Sequence, residues 1–281
     1  MPFKSRLLTS MAILALLSVP ALPADLDTVI PAQAEDGYVP VEIGSGWYIR
    51  GDVSYDLASS MSGTYRTYGA APSPVYSTND YDNFDLEAGG DFGAGVGYQF
   101  NNWLRADATL GYWARRVNGT DTTPAPCDPT NALAVGCRSE DRTKMSAWEL
   151  MANAYVDLGT FIGVTPYLGA GAGMAKVKYS DLSNISFCTD AAGADISGCG
   201  YIASHPGADS WRFTWALMAG ASVDLSKNTK LDFGYRYARL SGGDMFNWDN
   251  ATAVTGATGI QGKDNGFSQH QFKVGVRYEI W

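Results

Sequence analysis

The sequence predicts an all-β protein, an eight-stranded antiparallel transmembrane up-and-down β-barrel with four long extracellular loops. Three observations support this fold class. Apolar and polar residues alternate along eight segments, short turns and long loops alternate between those segments, and the 281 residues include 32 glycines but only 17% charged residues. Soluble domains typically contain about 25% charged residues and about 7% glycine. An ordinary helical enzyme is therefore disfavoured.

The alternation is clearest over residues 211–225, where every odd position is apolar and the even positions include Arg212, Thr214 and Asp224. A period of two is typical of a β-strand with one apolar face. The eight predicted strands occupy residues 47–57, 92–100, 104–112, 148–158, 165–179, 211–225, 231–237 and 272–280.

The fifth segment is the least defined, because no charged residue marks its polar face. Leu168 and its neighbours of the same parity alternate with Tyr167 and glycines, and we expect the Leu168 set to form the apolar face. The uncharged run 158–175 could in isolation suggest a membrane helix. Pro166 and five glycines within that run argue against a helix.

The connections between the strands alternate in length. Short turns are predicted around 101–102, 159–163 and 226–229, and long polar loops near 58–84, 114–144, 180–210 and 241–266. Short turns at one rim and long loops at the other are typical of an outer-membrane barrel. A soluble, lipocalin-like barrel is the alternative, since it would turn the same apolar face inward.

Three features favour the membrane barrel. The polar face is rich in small residues, which suits the narrow interior of eight strands. Aromatic residues gather near strand ends, as in the two girdles of a lipid-facing band. The sequence also ends within its last strand, at Trp281. We therefore predict the bacterial outer membrane as the location.

The N-terminus resembles a secretory signal, with basic residues before a short apolar run at 7–19. That run is too short for a membrane helix, which needs about 20 residues. Cleavage could follow Ala21, Ala24 or Ala34, and we place it after Ala24. The predicted organisation is a signal peptide at 1–24, a periplasmic N-terminal extension at 25–45 and the barrel at 46–281.

Four cysteines in an exported chain predict two disulfides. They are Cys127, Cys137, Cys188 and Cys199. Three pairings are open, and we favour Cys127 with Cys137 and Cys188 with Cys199, because each pair lies within one predicted loop. No C-x-x-C spacing is present, and His205 and His270 are not near a cysteine cluster in a ligand-like pattern. We therefore predict no metal site and no cofactor.

Charged residues on the polar face of the strands would point into the barrel. We predict a lumen charge network, since buried charges persist only when they are paired. Its members are Arg50, Asp52, Asp91, Arg105, Asp107, Arg236, Lys273 and Arg277. A narrow ion-conducting pore is the alternative, but eight strands leave no open bore for nutrients.

Three stretches carry a resemblance to a known family. They are Gly46–Asp52, Thr165–Gly173 and the ending Lys273–Trp281. Together they resemble the small outer-membrane β-barrel surface-protein family, whose relatives include porin-like and opacity-type proteins and OmpA-type barrel domains. The resemblance implies that Tyr278, Ile280 and Trp281 form a C-terminal signal for the barrel-insertion machinery. Ile280 continues the apolar face of Tyr278, and Trp281 stands one residue beyond it.

An enzyme must also be considered, because some eight-stranded barrels modify lipids. Ser268 and His270 share one face near the outer rim, but a Ser–His pair needs a third orienting group and an oxyanion donor. We therefore predict no catalytic residues and no enzyme, with a rim lipid-modifying enzyme as the alternative.

The acidic balance, 29 Asp and Glu against 20 Lys and Arg, provides no basic surface for nucleic acid, which is excluded as a partner. The expected role is structural and interactive: envelope integrity, surface antigen or adhesin-like loops. The expected partners are outer-membrane lipid and lipopolysaccharide, the barrel-insertion machinery, and a host or surface ligand at the long loops.

Overall fold

The structure, a computed structural model, describes residues 46–69 and 73–280. The predicted signal peptide, the N-terminal extension and Trp281 lie outside the described residues. The elements are β1 Trp47–Asp56, β2 Ser59–Met61, β3 Gly63–Gly69, β4 Val75–Asp80, β5 Asn83–Leu86, β6 Gly89–Gln99, β7 Leu104–Thr123, β8 Gly136–Asp157, β9 Val164–Tyr179, β10 Leu182–Thr189, β11 Asp195–His205, β12 Asp209–Asp224, β13 Thr229–Asn247, α1 Asn250–Val254 and β14 Ile260–Glu279.

Eight of these strands form a closed antiparallel ring. Its order is β1, β6, β7, β8, β9, β12, β13 and β14, and β14 pairs back onto β1 from Tyr48 opposite Glu279 to Asp56 opposite Gln271. A closed ring leaves no unpaired edge, so every backbone group at membrane depth can bond to a neighbouring strand. The predicted eight-stranded antiparallel β-barrel is confirmed.

The short turns are held by polar side chains. The Asn101 carboxamide accepts hydrogen bonds from the backbone of Trp103 and Leu104 at 2.9 and 2.8 Å. In the turn between β8 and β9, Gly163 has a φ of +75°, which glycine adopts without strain. The three short turns follow β6, β8 and β12, and all three lie at the same rim of the ring.

The ring strands run much further at the opposite rim than the sequence predicts. Segment 114–144, predicted as a loop, is mostly the paired ends of β7 and β8, and segment 180–210 contains the hairpin of β10 and β11. Within 58–84, β2 pairs with β5, β5 with β7, and β3 with β14. The polar composition of these segments reflects strands with a wet outer face.

We call this extended part the outer crown. It comprises β2 to β5, β10, β11, α1 and the segments 113–123, 136–147, 175–179, 239–247 and 260–269 of the ring strands.

Below the outer crown, apolar side chains point out of the barrel and polar ones point in. Trp211 and Leu217 are 63% and 53% exposed, whereas Arg212 between them is 1% exposed. On β9, Leu168 is 54% exposed and Tyr167 is buried, as predicted. We call the outward apolar surface the membrane band. Aromatic rings lie at both of its ends, with Trp47 against Tyr98 at the turn rim and Tyr112 against Trp148 at the outer rim.

The outer crown has the reverse arrangement, with an apolar cluster inside the ring. We call this cluster the outer core; its buried members are Met61, Phe84, Leu86, Trp113, Val117, Met145, Ala147, Ala175, Val177, Tyr179, Leu182, Leu240, Met245, Phe246 and Phe267. Within 46–69 and 73–280, no helix is long and apolar enough to cross a membrane.

Candidate functional site: a filled lumen and an outer vestibule

The predicted lumen residues all lie on the inner face of the ring. Six of them are less than 9% exposed, and Asp91 and Lys273 are half-buried. Arg50 stands at the centre of one group: its guanidinium contacts the carboxylates of Asp52 and Asp107, at 2.7 Å each, and donates to the Tyr155 hydroxyl at 3.1 Å. Lys273 lies 3.8 Å from Asp52.

A second group surrounds Arg105, which is fully buried. Its Nε donates to both carboxylate oxygens of Asp157, at 3.1 and 3.2 Å. The guanidinium lies over the rings of Tyr155 and Tyr167, 4.1 and 4.8 Å from their centroids. Such cation–π contacts are strongest where water is excluded.

The remaining pairs continue around the lumen. Arg236 contacts Glu149 and donates to Gln271 at 2.6 Å, and Arg277 lies 3.6 Å from Asp232. The predicted residues are thus distributed over several ion pairs rather than brought into one cluster.

Two charged residues of this interior, Arg115 and Asp264, escaped the sequence reasoning. Arg115 contacts Asp91 and lies 3.5 Å from Asp56, although the predicted strand ended at residue 112. Arg212, recognised as inward-facing, pairs at 2.6 Å with Asp264, which fell in a predicted loop. The continued period of two in 113–121, with Trp113, Arg115 and Val117 on one side, could have revealed Arg115.

The lumen is filled rather than open. Two cavities among these charges measure about 50 and 10 Å³, space for a few water molecules. Above them the outer core fills the inside of the ring. Four of its residues are 0% exposed: Val117, Val177, Leu240 and Phe267. Within residues 46–69 and 73–280, these layers leave no wide bore through the ring.

A larger cavity of about 490 Å³ opens among the connections of the outer crown. We call it the outer vestibule. Aromatic rings and carboxylates line it, notably Tyr65, Tyr68, Tyr81, Tyr201, Trp248, Asp121, Asp141 and Asp249. Its volume is within the range of small-molecule sites, roughly 300–1,000 Å³.

The polar groups of the outer vestibule are held in place by neighbours. Tyr65 donates to Asp121 at 2.7 Å, and the Asn184 amide donates to Asp141 at 2.6 Å. Burial raises the pKa of Asp141 to about 6, with the Asn184 hydrogen bond opposing that shift. Burial also lowers the pKa of His205, whose Nδ1 lies 3.9 Å from Asp249.

Arg66 fastens the first long connection to the fourth. Its guanidinium lies 4.1 Å from the Tyr76 ring centroid and 5.7 Å from that of Trp248, and it donates to the Ile260 carbonyl at 3.2 Å. Tyr68 adds a hydrogen bond to the Thr255 carbonyl at 3.0 Å. The aromatic box at this wall of the outer vestibule is therefore already filled by a cation of the chain itself.

Two disulfides close the outermost strands. Cys127 is bonded to Cys137, and Cys188 to Cys199. Cys137 on β8 lies opposite Cys188 on β10, so the two bridges adjoin. The first bridge joins the second connection to β8, and the second joins the two strands of the β10–β11 hairpin.

Ser268 and His270 lie on the outer face of β14, where each contacts a tyrosine hydroxyl. The Ser268 hydroxyl is 3.0 Å from the Tyr237 hydroxyl, and His270 Nδ1 is 2.5 Å from the Tyr235 hydroxyl. No hydrogen bond joins Ser268 to His270 in the described part of the chain. Across that same part, no three His, Cys, Asp or Glu side chains gather as metal ligands.

The residues expected to form the C-terminal signal lie at the turn rim. Tyr278 and Ile280 are outward and 48% and 43% exposed, and the Ile280 amide donates to the Trp47 carbonyl at 2.8 Å. Trp281 lies outside the described residues.

Comparison with known proteins identifies the family. A model of the outer membrane protein beta-barrel domain matches residues 10–279. The chain belongs to this outer-membrane β-barrel family. An uncharacterized protein of Brucella suis is 40% identical over 84% of this chain and 85% of its own length. A candidate adhesin of Rickettsia prowazekii is 26% identical over 85% and 89%.

Comparison with solved structures adds a distant likeness. Neisserial surface protein A is 16% identical, with a TM-score of 0.42 over 84% of this chain and 98% of that protein. With the family established, the β-barrel is an outer-membrane protein, and the apolar membrane band is the surface that contacts lipid.

Proposed function

We propose that the protein is a surface-recognition protein in which the barrel serves as anchor and the outer crown binds a partner, with neither nutrient passage nor catalytic turnover. The observation that carries this proposal is the position of the outer vestibule, a cavity of about 490 Å³ above a lumen filled by ion pairs and the outer core. Function in such folds resides in the connections, which a rigid scaffold positions.

The lining of the outer vestibule favours a neutral, hydroxyl-bearing ligand such as the end of a surface glycan. Carboxylates accept hydrogen bonds from hydroxyls, and aromatic faces pack against apolar ring surfaces. An anion would meet Asp121, Asp141 and Asp249. A cation would find the aromatic box already occupied by Arg66.

Glycan binding tests this proposal. Purified full chain in detergent is applied to an array of neutral and sialylated glycans, beside Tyr201→Ala, which alters an exposed ring of the outer vestibule. We expect binding to a neutral glycan that falls about tenfold in Tyr201→Ala. Leu133→Ala, on an exposed residue outside the lining, is the matched control. Equal binding by Tyr201→Ala and the control would refute the proposed site.

The pore alternative predicts ion flow, whereas the filled lumen predicts none. Planar bilayers containing the full chain should stay silent at moderate voltage, and a steady single-channel current would overturn the sealed-anchor proposal. The enzyme alternative predicts lipid hydrolysis or acyl transfer by the unaltered protein. If such an activity is measured and is lost in Ser268→Ala, the proposal of a protein without catalytic turnover is wrong.

We further propose that Tyr278, Ile280 and Trp281 act as the signal for the barrel-insertion machinery. The outward positions of Tyr278 and Ile280 at the end of β14 support this assignment. Ile280→Asn should slow assembly in cells while leaving refolding in detergent unchanged. An equal loss in both assays would indicate a general folding defect instead.

A further inference from the structure

A basic surface lies on the outside of the outer crown, facing away from the outer vestibule. Four cations line an open groove of about 700 Å³ across three neighbouring ring strands. They are Arg116 on β7, Arg142 and Lys144 on β8, and Lys178 on β9. We call this surface the basic groove. Asn118 and Ser180 supply polar groups beside the cations, and the carboxylate of Asp181, which also lines the groove, accepts a hydrogen bond from the Gly207 amide at 3.1 Å.

The cations of the basic groove face one another with incomplete neutralisation. Arg116 lies directly opposite Lys144 in the strand register, an arrangement that destabilises a sheet when no anion stands between the charges. Lys144 and Lys178 take part in no ion pair of the described residues. Asp209, opposite Lys178, bonds instead to Lys176 at 2.8 Å.

Two partly exposed carboxylates balance part of the charge, and one of them, Glu140, also pairs with Arg138 at 2.8 Å. Glu87 is 3.6 Å from Arg116, and Glu140 is 3.4 Å from Arg142, but both arginine side chains remain about 70% exposed, at 71% and 68%. Such exposed pairs contribute little and exchange readily for another anion.

The height of the basic groove matches the charged layer of the outer leaflet. Trp148, in the outer aromatic girdle, follows Lys144 by four residues on the outward face of β8. At about 3.3 Å per residue and a tilt of about 40°, Lys144 lies roughly 10 Å outside the girdle. Aromatic girdles mark the boundary between hydrocarbon and head groups, so phosphates of a surface glycolipid would lie at this level.

The basic groove is also one-sided. On the far side of the ring the same level carries Ser241 opposite Gly266, and Arg239, which donates to Ser268 and to the Asn265 carbonyl. A cation collar meant only for general attraction to an anionic surface would surround the ring. Concentration on β7, β8 and β9 instead indicates a discrete site.

We propose that the basic groove binds the phosphate groups of an outer-leaflet glycolipid, the lipid A part of lipopolysaccharide. Arg116 and Arg142 can bind a phosphate through two parallel N–H donors, whereas Lys144 and Lys178 contribute point charges. The apolar membrane band directly below would contact the acyl chains of the same molecule. The glycolipid then satisfies the charges that the protein leaves facing one another.

Direct binding to folded protein in detergent tests this proposal. The probes are lipid A with two phosphates, the same lipid A after enzymatic removal of its phosphates, and inorganic phosphate alone. The variant Lys144→Gln/Lys178→Gln removes two charges from the basic groove. The matched control Lys227→Gln/Lys263→Gln removes two lysines elsewhere, Lys227 in a turn and the 59% exposed Lys263.

We expect the groove variant to bind phosphorylated lipid A at least tenfold more weakly, since each lysine near an anionic surface contributes about 1 kcal/mol, or about fivefold. The control should stay within twofold. Dephosphorylated lipid A should bind the unaltered protein at least tenfold more weakly. Heat-modifiable gel migration verifies that each variant is folded; if the double variant fails this check, Lys144→Gln alone should show about a fivefold loss.

Three results would overturn the proposal. They are equal binding by the groove variant and the control, equal binding of lipid A with and without phosphates, and inorganic phosphate binding as tightly as lipid A, which would mean an adventitious ion only. None of these results bears on the proposed glycan site, because the glycan assay tests a substitution in the outer vestibule and not in the basic groove.

Discussion

The same strands cross two regions of opposite polarity. In the membrane band, Leu150 on β8 points outward and is 57% exposed while its neighbour Glu149 is buried inside. Higher on that strand, Met145 is 0% exposed inside and Lys144 points outward. The outer crown is thus built like a water-soluble barrel, and the membrane half like its inverse.

The difference shows that the surrounding solvent, rather than the strand itself, decides which face carries apolar residues. Lipid accepts apolar side chains at no cost, so the lumen can be left to paired charges. Water does not, so the outer crown must bury its apolar residues internally. The reversal between Trp148 and Lys144 marks where β8 leaves the bilayer.

The strongest test removes one partner of a lumen ion pair. Arg105→Leu leaves the Asp157 carboxylate, 4% exposed at its side chain, without its cation. We expect the free energy of unfolding to fall by about 3–5 kcal/mol, as measured by urea titration in detergent. Arg105→Leu/Asp157→Leu should recover most of that loss. Lys263→Ala, which breaks an exposed pair with Asp244, should cost at most about 0.5 kcal/mol.

A charge on the outer face should be harmful only in the membrane half. Leu150→Arg places a cation in the membrane band and should cost about 2–4 kcal/mol in refolding titrations with lipid vesicles. Thr120→Arg, on the exposed outward face of β7 in the outer crown, should be nearly neutral. Equal costs would contradict the boundary drawn at the outer girdle.

Trimming an apolar side chain should have the opposite dependence on depth. Val177→Ala removes two methyl groups from the outer core and should cost about 2 kcal/mol, including the cavity it leaves. Val274→Ala on the membrane band should cost less, because acyl chains can fill the space. Denaturation midpoints of the two variants in lipid vesicles provide the comparison.

The smallest effect concerns the pH dependence of the outer crown. The pKa of Asp141 is raised to about 6 by burial, against about 3.9 in an unfolded chain. The folded state therefore binds more protons between these values, and stability falls as pH rises from about 4 to 6. Asp141→Asn should stabilise the protein by about 1–2 kcal/mol at pH 7, with no comparable gain at pH 4.

Denaturant midpoints at pH 4 and pH 7 measure this difference. Asp195→Asn is the control, because Arg138 lowers the pKa of that exposed carboxyl and no gain is expected at pH 7. If both variants gain the same stability at pH 7, the effect comes from the change in net charge rather than from the burial of Asp141.

The ring could be predicted from sequence because, in each of the eight segments, the apolar residues stay at every second position along the whole length that lies in lipid. The lumen charges followed from the same parity, and Tyr48 explains one of the many inward glycines, since its ring occupies the space beside Gly97. The local spacing of the cysteines was a sufficient guide to the two bridges that the structure contains.

The outer crown was not predicted, because its strands reverse the polarity pattern where the solvent changes. The apolar inner positions 113, 117, 145 and 147 belong to the parity that carries charges lower down. Their neighbours are polar and rich in turn-forming residues, so the segments resembled loops. Neither the outer vestibule nor the basic groove could be located, since both depend on which strands lie side by side.

The β7–β8 ladder pairs without interruption from Leu104 opposite Val156 to Thr123 opposite Cys137. Twenty residues of strand at about 3.3 Å each, tilted by about 40°, rise roughly 50 Å, of which an apolar band of about 25 Å lies in hydrocarbon. The remaining height of about 25 Å is stiff scaffold rather than slack chain. The tip of the outer crown is therefore held roughly 25 Å beyond the hydrocarbon by a paired ladder rather than by flexible loops.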